Sequence, residues 1–438
     1  MRERIRWMAV HGVVRGLSAI GMRRGDPQAR LIADPQVRAD PAPFADEMRR
    51  RGPLVRGRAV LMTFDHGVAS DLLRSDDFRV SRLGGNLPRA LRWVADKTDN
   101  GSLHPLLPPS LLAVEPPDHT RYRKLVSSVF TTRAVARLRE RVQETADELL
   151  DSMDGDAGVV DIVDRYCAQL PVAVISDILG VPDADRSQIL RFGELGAPSL
   201  DIGLTWRQYR QVNSGIHGFE TWLTGHLRQL RRNPGEDLLS QIIKASDAGE
   251  AGEPLNDAEL RALAGLVLAA GFETTVNLLG NGIRMLLDHP EHLNTLAARP
   301  ELWPNAVEEI LRLESPVLMS ARAARVDTEV AGTQVKAGEL IVVHLAGANR
   351  DPAVFVDPHR FDIERDNAGR HLSFSGGRHF CLGAALARAE GQVGLQTFFE
   401  RFPDARVAGA GCRRDTRVLR GWSTLPITLG KARTAVRS

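Results

Sequence analysis

Residues 374–383 read FSGGRHFCLG, one cysteine set among three glycines, an arginine and a histidine. Gly376 and Gly377 permit backbone geometries and close approaches that a side chain blocks. The stretch after Cys381, LGAALARAEGQVGLQTFFERF, patterns as a helix. The sulfur then sits at a helix N-terminus, where free N–H groups and the dipole favour a thiolate. Arg378 and His379 add cationic or donor groups. A thiolate beside a flat, glycine-lined surface suits an axial bond to haem iron. Three other readings share these residues. Cys381 could be an inert core cysteine, a nucleophile with His379 as its base, or a zinc ligand with His371 and His379, though no fourth ligand is near.

Two more stretches place polar groups where they need a reason. In AAGFETT, residues 269–275, Gly271 interrupts an apolar helical run at a cost of about 1 kcal/mol relative to alanine. Glu273 and Thr274 then put an acid and an alcohol where an unpaired polar group is costly. In EEILR, residues 308–312, Glu309 and Arg312 lie three apart on one helical face and can pair.

These residues must be held by longer elements. Asn256 with Glu259 three residues on forms a capping box that opens a helix running to about Asp288, roughly 45 Å long. From Leu263 to Phe272 it is apolar on every face, as befits a helix threading the centre of a large domain. Helical patterning dominates from about Pro117 to Arg312, and Cys167 falls within it as a core residue. Cys412 reads as an ordinary loop residue. Strand-like pieces occur at 58–64, 328–335 and 339–346. The expected fold is mainly α with a small β-sheet subdomain, in a single large domain over 26–430 whose β-rich part spans roughly 50–65 and 325–346. Residues 431–438 form a tail.

The net charge of +2 over 438 residues argues against a generic polyanion binder, so no nucleic-acid partner is expected. Three well-separated cysteines make a disulfide framework implausible and point to a reducing cytoplasm. Residues 1–25 form an amphipathic segment. His11 and Arg15 break its apolar run, so neither a membrane span nor a signal peptide fits. Val10, Val13, Val14, Leu17 and Ile20 share one face of a regular helix, with His11, Arg15 and Ser18 opposite. A helix packed on its own domain is favoured over peripheral membrane contact.

Phe374, Gly377, His379, Cys381 and Gly383 match a known cysteine-loop signature, and through them the chain resembles the cytochrome P450 family, the haem-thiolate monooxygenases, in its soluble bacterial type. AAGFETT, the ExxR of Glu309 and Arg312, Asn349-Arg350-Asp351-Pro352 and the PHRF at 358–361 follow in family order. The resemblance implies a single cytochrome P450-type domain binding haem b (iron protoporphyrin IX) through Cys381, with Phe374 and Gly383 in the cofactor loop and its glycines making room for the macrocycle. It implies that His119, Arg123, Arg322 and His379 meet the haem propionates, Arg325 being the competing choice to Arg322. Gly271 and Thr274 belong to the oxygen-binding groove, where Thr274 hydrogen-bonds dioxygen and Glu273 takes part in proton delivery. Glu309, Arg312 and Arg360 form a structural set that buttresses the loop.

The implied activity inserts one oxygen atom from O2 into a C–H bond of an apolar small molecule, a lipid, terpenoid or polyketide-like compound. Electrons come from an external ferredoxin and ferredoxin reductase, with Arg121, Lys124, Arg133 and Arg388 as a basic docking patch. Leu87, Trp93, Leu200, Ile202, Leu268, Val317, Leu318 and Trp422 are expected around the substrate. A non-catalytic haem sensor or carrier and a peroxide-driven enzyme are the alternatives. The Glu273–Thr274 pair argues against both.

Overall fold

Asn256 starts the central helix as its capping box requires: its side chain accepts from the N–H groups of Ala258 and Glu259, and the Glu259 carboxylate accepts from the Asn256 N–H. The computed structural model describes every residue except 86, 131, 156–157, 251 and 433–438, and leaves the side chains of 128, 129, 132 and 133 aside. The expected tail therefore lies largely outside the described residues, as does the side chain of Arg133.

In chain order, the helices that position the site begin with α1 (Arg2–Trp7) and α2 (Val13–Arg23), joined by a π-helical turn at Met8–Gly12. Then come α3 (His66–Arg74), α4 (Arg89–Lys97), α5 (Asp118–Val126), α6 (Thr132–Asp151), α7 (Gln169–Leu179) and α8 (Arg186–Gly196). The set ends with α9 (Trp206–Arg232), α10 (Asp257–Asp288), α11 (Trp303–Leu313) and α12 (Ala384–Arg401). The 32-residue α10 packs against α7, α9, α11 and α12, so its apolar surface meets protein on most sides. It is long and apolar enough to cross a membrane, but most of it is buried inside the fold.

The strands are β1 (Val55–Arg56), β2 (Leu61–Thr63), β3 (Phe78–Val80), β4 (Val159–Asp161), β5 (Ser320–Ala324), β6 (Thr328–Val330), β7 (Thr333–Val335), β8 (Leu340–Val343), β9 (Arg406–Val407), β10 (Cys412–Arg413), β11 (Trp422–Thr424) and β12 (Pro426–Thr428). One sheet runs β1-β2-β8-β5-β3, with β2 and β8 parallel and Leu61 opposite Ile341. β5 pairs antiparallel with β8 and with β3, and its Arg322 stands opposite Val80 of β3. The β structure extends beyond the two expected stretches, to β3, β5 and the small sheets β4-β12-β9 and β10-β11. Cys412 accordingly lies in a strand, not a loop. Strands of two to five residues are too short to show alternation in sequence, and they form because distant partners supply the ladder.

The N-terminal helix is turned relative to expectation. Ser18 and Gly21 are buried, whereas Leu17 and Ile20 are 45% and 49% exposed. The π turn inserts one extra residue, which rotates everything after it by about 100° against a regular helix. The inward face is polar and bonded: Trp7 Nε1 donates to the Leu204 carbonyl (2.9 Å) and Arg15 to the Gly203 carbonyl (3.0 Å). Arg6 donates to the Ala95 carbonyl (2.7 Å).

Behind the cysteine loop, Arg312 and Glu309 are both fully buried and paired through two bonds, of 2.6 and 2.7 Å. Arg312 also donates to the carbonyls of Asn349, Pro358 and Arg360. The expected third partner, Arg360, contributes only that carbonyl, and its side chain is exposed. Arg365 takes the place instead: its Nε donates to Glu309 Oε1 at 3.1 Å, and its other nitrogens bind the carbonyls of Val356, Asp357 and Arg360. A buried carboxylate needs its lone pairs filled, and the chain turns so that Arg365, not Arg360, reaches them.

A second buried carboxyl behaves differently. Glu390 on α12 is 1% exposed, accepts a 3.2 Å bond from Thr275 of α10 and has no cationic partner among the described residues. Burial pushes its pKa from 4.5 up to about 8. Between these values the unfolded chain has lost the proton that the fold retains, so stability falls as pH rises. We expect a decline of a few kcal/mol between about pH 5 and pH 8. Glu390→Gln should flatten it in denaturant melts across that range. An unchanged slope would remove Glu390 as its source.

Candidate active site

The cysteine loop closes on itself through the Cys381 N–H, which donates to the Phe374 carbonyl at 2.9 Å. Phe374 is buried, with the Arg388 guanidinium 4.6 Å over its ring. The loop glycines have a packing role. Gly377 has φ +64° and a side chain there would strike the Leu73 carbonyl of α3; Gly376 would approach Leu73 Cβ to 3.2 Å. They let the loop lie flat on the C-terminal end of α3. At Gly383 a side chain would meet only Phe130, at 4.0 Å.

Cys381 is surrounded by many protein atoms, yet its surface is accessible. Burial raises its thiol pKa; the Gly383 N–H and the cations Arg123 and Arg388 oppose this without overcoming it. A bound metal cation lowers the pKa of a coordinating thiol. Cys167, by contrast, is fully buried in the core, and burial drives its thiol pKa far up. His371 is engaged elsewhere, 3.2 Å from Glu308, and no group of three metal-ligating side chains occurs among the described residues, which leaves the zinc reading without support.

Around the loop stand two histidines and two arginines, Arg123 half-buried and Arg322 buried. The rings of His119, on α5, and His379 lie 4.4 Å apart, and the Nε2 atoms of both are buried without a hydrogen-bond partner. Burial, His379 and Arg123 lower the His119 pKa to about 4. Arg322, on β5, is 3% exposed and bonds only Ser320 Oγ, the Ala321 carbonyl and Ser375 Oγ. Burial lowers its pKa to about 10. The competing Arg325 is exposed and caps the Asp76 carbonyl. Arg123 is committed to the loop, donating to the carbonyls of Arg378 (3.3 Å) and Phe380 (2.9 Å). Orphaned histidine nitrogens and a buried arginine without a carboxylate are the valences that an anionic cofactor would fill, so these residues fit a haem with its two propionates.

Sequence reasoning missed Glu115. It accepts from the Val80 N–H (2.7 Å) and from Arg378 (3.1 Å), and lies 3.5 Å from His379 Nε2. Burial would raise its pKa, but His379, the Val80 N–H and nearby cations hold it below its ordinary value. One carboxylate thus partly balances the cation set. Its signal was weak: a lone acid four residues before His119.

On α10 an open strip crosses an otherwise buried helix. Ala270 is exposed, Thr274 is half-buried, and the Thr274 hydroxyl donates to the Ala270 carbonyl at 3.3 Å. Gly271, between them in sequence, is half-buried like Thr274. A side chain there would come within 2.7 Å of Ile175, so this glycine lets α10 and α7 cross closely. Glu273 is buried on another side, where Arg414 donates to it at 2.9 Å. Burial raises the pKa of Glu273, with Arg414 pulling the other way. Arg414 was not anticipated, because the strand pair that delivers it is short and remote in sequence.

The expected substrate-facing residues divide. Leu268 and Trp422 are core, Leu318 is buried, and Leu87 packs with Val10 and Ala95. Trp93 and Ile202 are 63% and 38% exposed. Val317 and Leu200 are half-buried. The basic patch is also reduced: Arg121 pairs with Glu259, and Arg388 makes a two-bond pair with Glu308 at 2.6 and 3.0 Å. Lys124 is exposed and bonds only the Glu250 carbonyl.

Comparison with known proteins agrees with this geometry. A family model described as Cytochrome P450 matches residues 197–298 and 298–404. A Mycobacterium tuberculosis protein named as cytochrome P450 140 is 67% identical over 436 residues, all of both chains. The 6-deoxyerythronolide B hydroxylase of Saccharopolyspora erythraea is 42% identical over 72% of this chain and 76% of its own. Among solved structures, P450BioI bound to hexadec-9Z-enoic acid ligated acyl carrier protein superposes with a TM-score of 0.80, at 30% identity, over 90% of this chain and 100% of that one. An enclosed thiol behind a fully buried Glu–Arg pair, unpartnered cations around it and whole-length likeness to these proteins lead to one conclusion: the chain is a haem-thiolate monooxygenase of the cytochrome P450 family.

Proposed function

We propose that Cys381 is the axial ligand of haem b, and that His119, His379 and Arg322 receive its propionates. Arg123 and Glu115 act as positioning residues. Arg123 ties the cysteine loop to α5, and Glu115 holds Arg378 and the His379 side of the loop. Bound haem supplies the redox-active iron at which dioxygen is reduced. The chain supplies a hydroxyl and a buried acid on α10, and a scaffold that keeps the sulfur fixed.

The observation that carries this reading is the open strip of Ala270 and Thr274 on α10, with the Glu273 carboxyl buried one residue away. Thr274 presents a hydroxyl on this strip while its own bond to the Ala270 carbonyl orients it. Burial raises the pKa of Glu273, which favours its holding a proton more readily than a free carboxyl does. Its link to Arg414 fixes the carboxyl when it is charged. A carrier or sensor has no use for such a pair.

The substrate in this reading is an apolar small molecule, lipid- or polyketide-like, consistent with the polyketide hydroxylase and fatty-acyl relatives. Electrons come from an external ferredoxin fed by its reductase in the cytoplasm. A cleft of about 510 Å³ on the far side of the cysteine loop, lined by Arg74, Arg370, Phe380 and Arg388, is where such an acidic partner would approach. Thr274→Ala is expected to keep the fold and the haem, but to cut product formed per electron delivered roughly a hundredfold, with Glu273→Gln showing a similar loss. The assay uses a ferredoxin–reductase pair and a hydroxylation readout. Undiminished coupling in both variants would overturn the proton-relay roles. Turnover with peroxide but none with any ferredoxin pair would overturn the electron-donor reading.

A further inference from the structure

The outward face of the N-terminal helix is apolar and basic at once. Residues 1–25 contain six arginines and one glutamate, a net +5, in a chain whose total is +2. Ile5, Met8, Leu17 and Ile20 are each between 43% and 49% exposed. In a regular helix Met8 and Leu17 would point about 180° apart. The π turn at Met8–Gly12 removes one residue's rotation and brings all four into a band about 80° wide. Arg2 and Arg24 lie within or beside that band, while Arg4 and Arg23 border it. These four are exposed and form no ion pair among the described residues. Helix α4, which packs against α1 and the π turn, adds Trp93 at 63% exposure, and Ile202 adjoins the Gly203 carbonyl that Arg15 binds.

We propose that this surface docks the protein on an anionic lipid bilayer. An apolar band flanked by arginines, with an exposed tryptophan beside it, is the pattern of a helix lying in the headgroup region. Negative headgroups supply the charge that this face lacks. A second copy of the chain is a poorer occupant, because a two-fold contact would press the same basic helix against itself. The inward face of the helix is already engaged, so docking requires no unfolding. That inward face also borders a cavity of about 480 Å³ of mixed lining, with Leu83, Leu103 and Ile216 beside Arg6, Asp99 and Arg210. Docking would set the rim of this cavity beside the acyl chains. This last consequence rests on the apolar-substrate reading; the lipid binding does not.

The full-length, haem-loaded protein can be sedimented with vesicles of phosphatidylcholine alone or mixed with phosphatidylglycerol. Bound protein should rise about tenfold with the anionic lipid and fall as salt is added. Leu17→Glu with Ile20→Glu, and separately Arg23→Glu with Arg24→Glu, should each lower binding about tenfold while the haem spectrum stays intact. Val356→Glu, at another exposed apolar position, should change nothing. Absence of binding, equal binding to neutral vesicles, or retention of binding in both double variants would overturn the proposal. So would loss of a dimer, seen by sedimentation velocity, as the sole effect of the variants. Each outcome is read without any turnover, so it is separable from failure of the catalytic assignment.

Discussion

Replacing Cys381 with serine is expected to abolish the strongly red-shifted Soret band of the reduced carbon monoxide complex, and monooxygenase turnover with it. Cys167→Ser and Cys412→Ser should retain both. All three cysteines are free, so chemistry does not separate them; position does. Cys167 is sealed in the core, where serine costs about 1–3 kcal/mol for a buried hydroxyl without a partner but leaves the haem site alone. Cys412 is exposed in β10. Only Cys381 combines an enclosed setting with an accessible sulfur, a Gly383 N–H directed at it and the cations Arg123 and Arg388 nearby. A surviving red-shifted band in a folded Cys381→Ser protein would refute the ligand assignment outright. Its loss in Cys167→Ser with the fold intact would refute it equally.

Arg312→Ala should be the most destabilising single change in the cysteine-loop scaffold, at about 3–5 kcal/mol, because it strands a buried carboxylate. Glu309 would keep only Arg365 and the Asp362 N–H, and the carbonyls of Asn349 and Pro358 would lose their donor, while that of Arg360 would keep Arg365. Arg360→Ala should cost no more than about 0.5 kcal/mol, since its exposed side chain joins none of these bonds. Arg365→Ala should fall between them. Denaturant melts of the three variants order them directly. A large effect at Arg360 with a small one at Arg365 would mean the network is wired as the sequence motif suggested, not as the fold shows it.

That contrast marks where local information ends. The capping box at Asn256, the Glu309–Arg312 pair and the helix after Cys381 could be read because their partners lie within four residues or so on one element. The roles of the glycines could not. The resemblance ties Gly271 to the oxygen groove and Gly376 and Gly377 to the macrocycle; the structure adds that a side chain at Gly271 would meet Ile175 on another helix and one at Gly376 or Gly377 would meet Leu73. In each case the backbone approach that demands glycine comes from an element remote in sequence.

The N-terminal segment gives the same lesson from the other direction. Its amphipathic character was legible, but a one-residue π insertion decided which side faces out, and no periodicity count contains that insertion. Glu115, Arg365 and Arg414 each reach a partner across a loop or a short strand, and charge alone did not distinguish them from surface residues. The sequence by itself determined the family, the thiolate loop and the order of the helices, since these rest on contiguous residues. Only the tertiary structure decided which cations are left unpartnered, which glycines are steric and which helix face is free. Those properties depend on what arrives from elsewhere in the chain to fill or leave open each position.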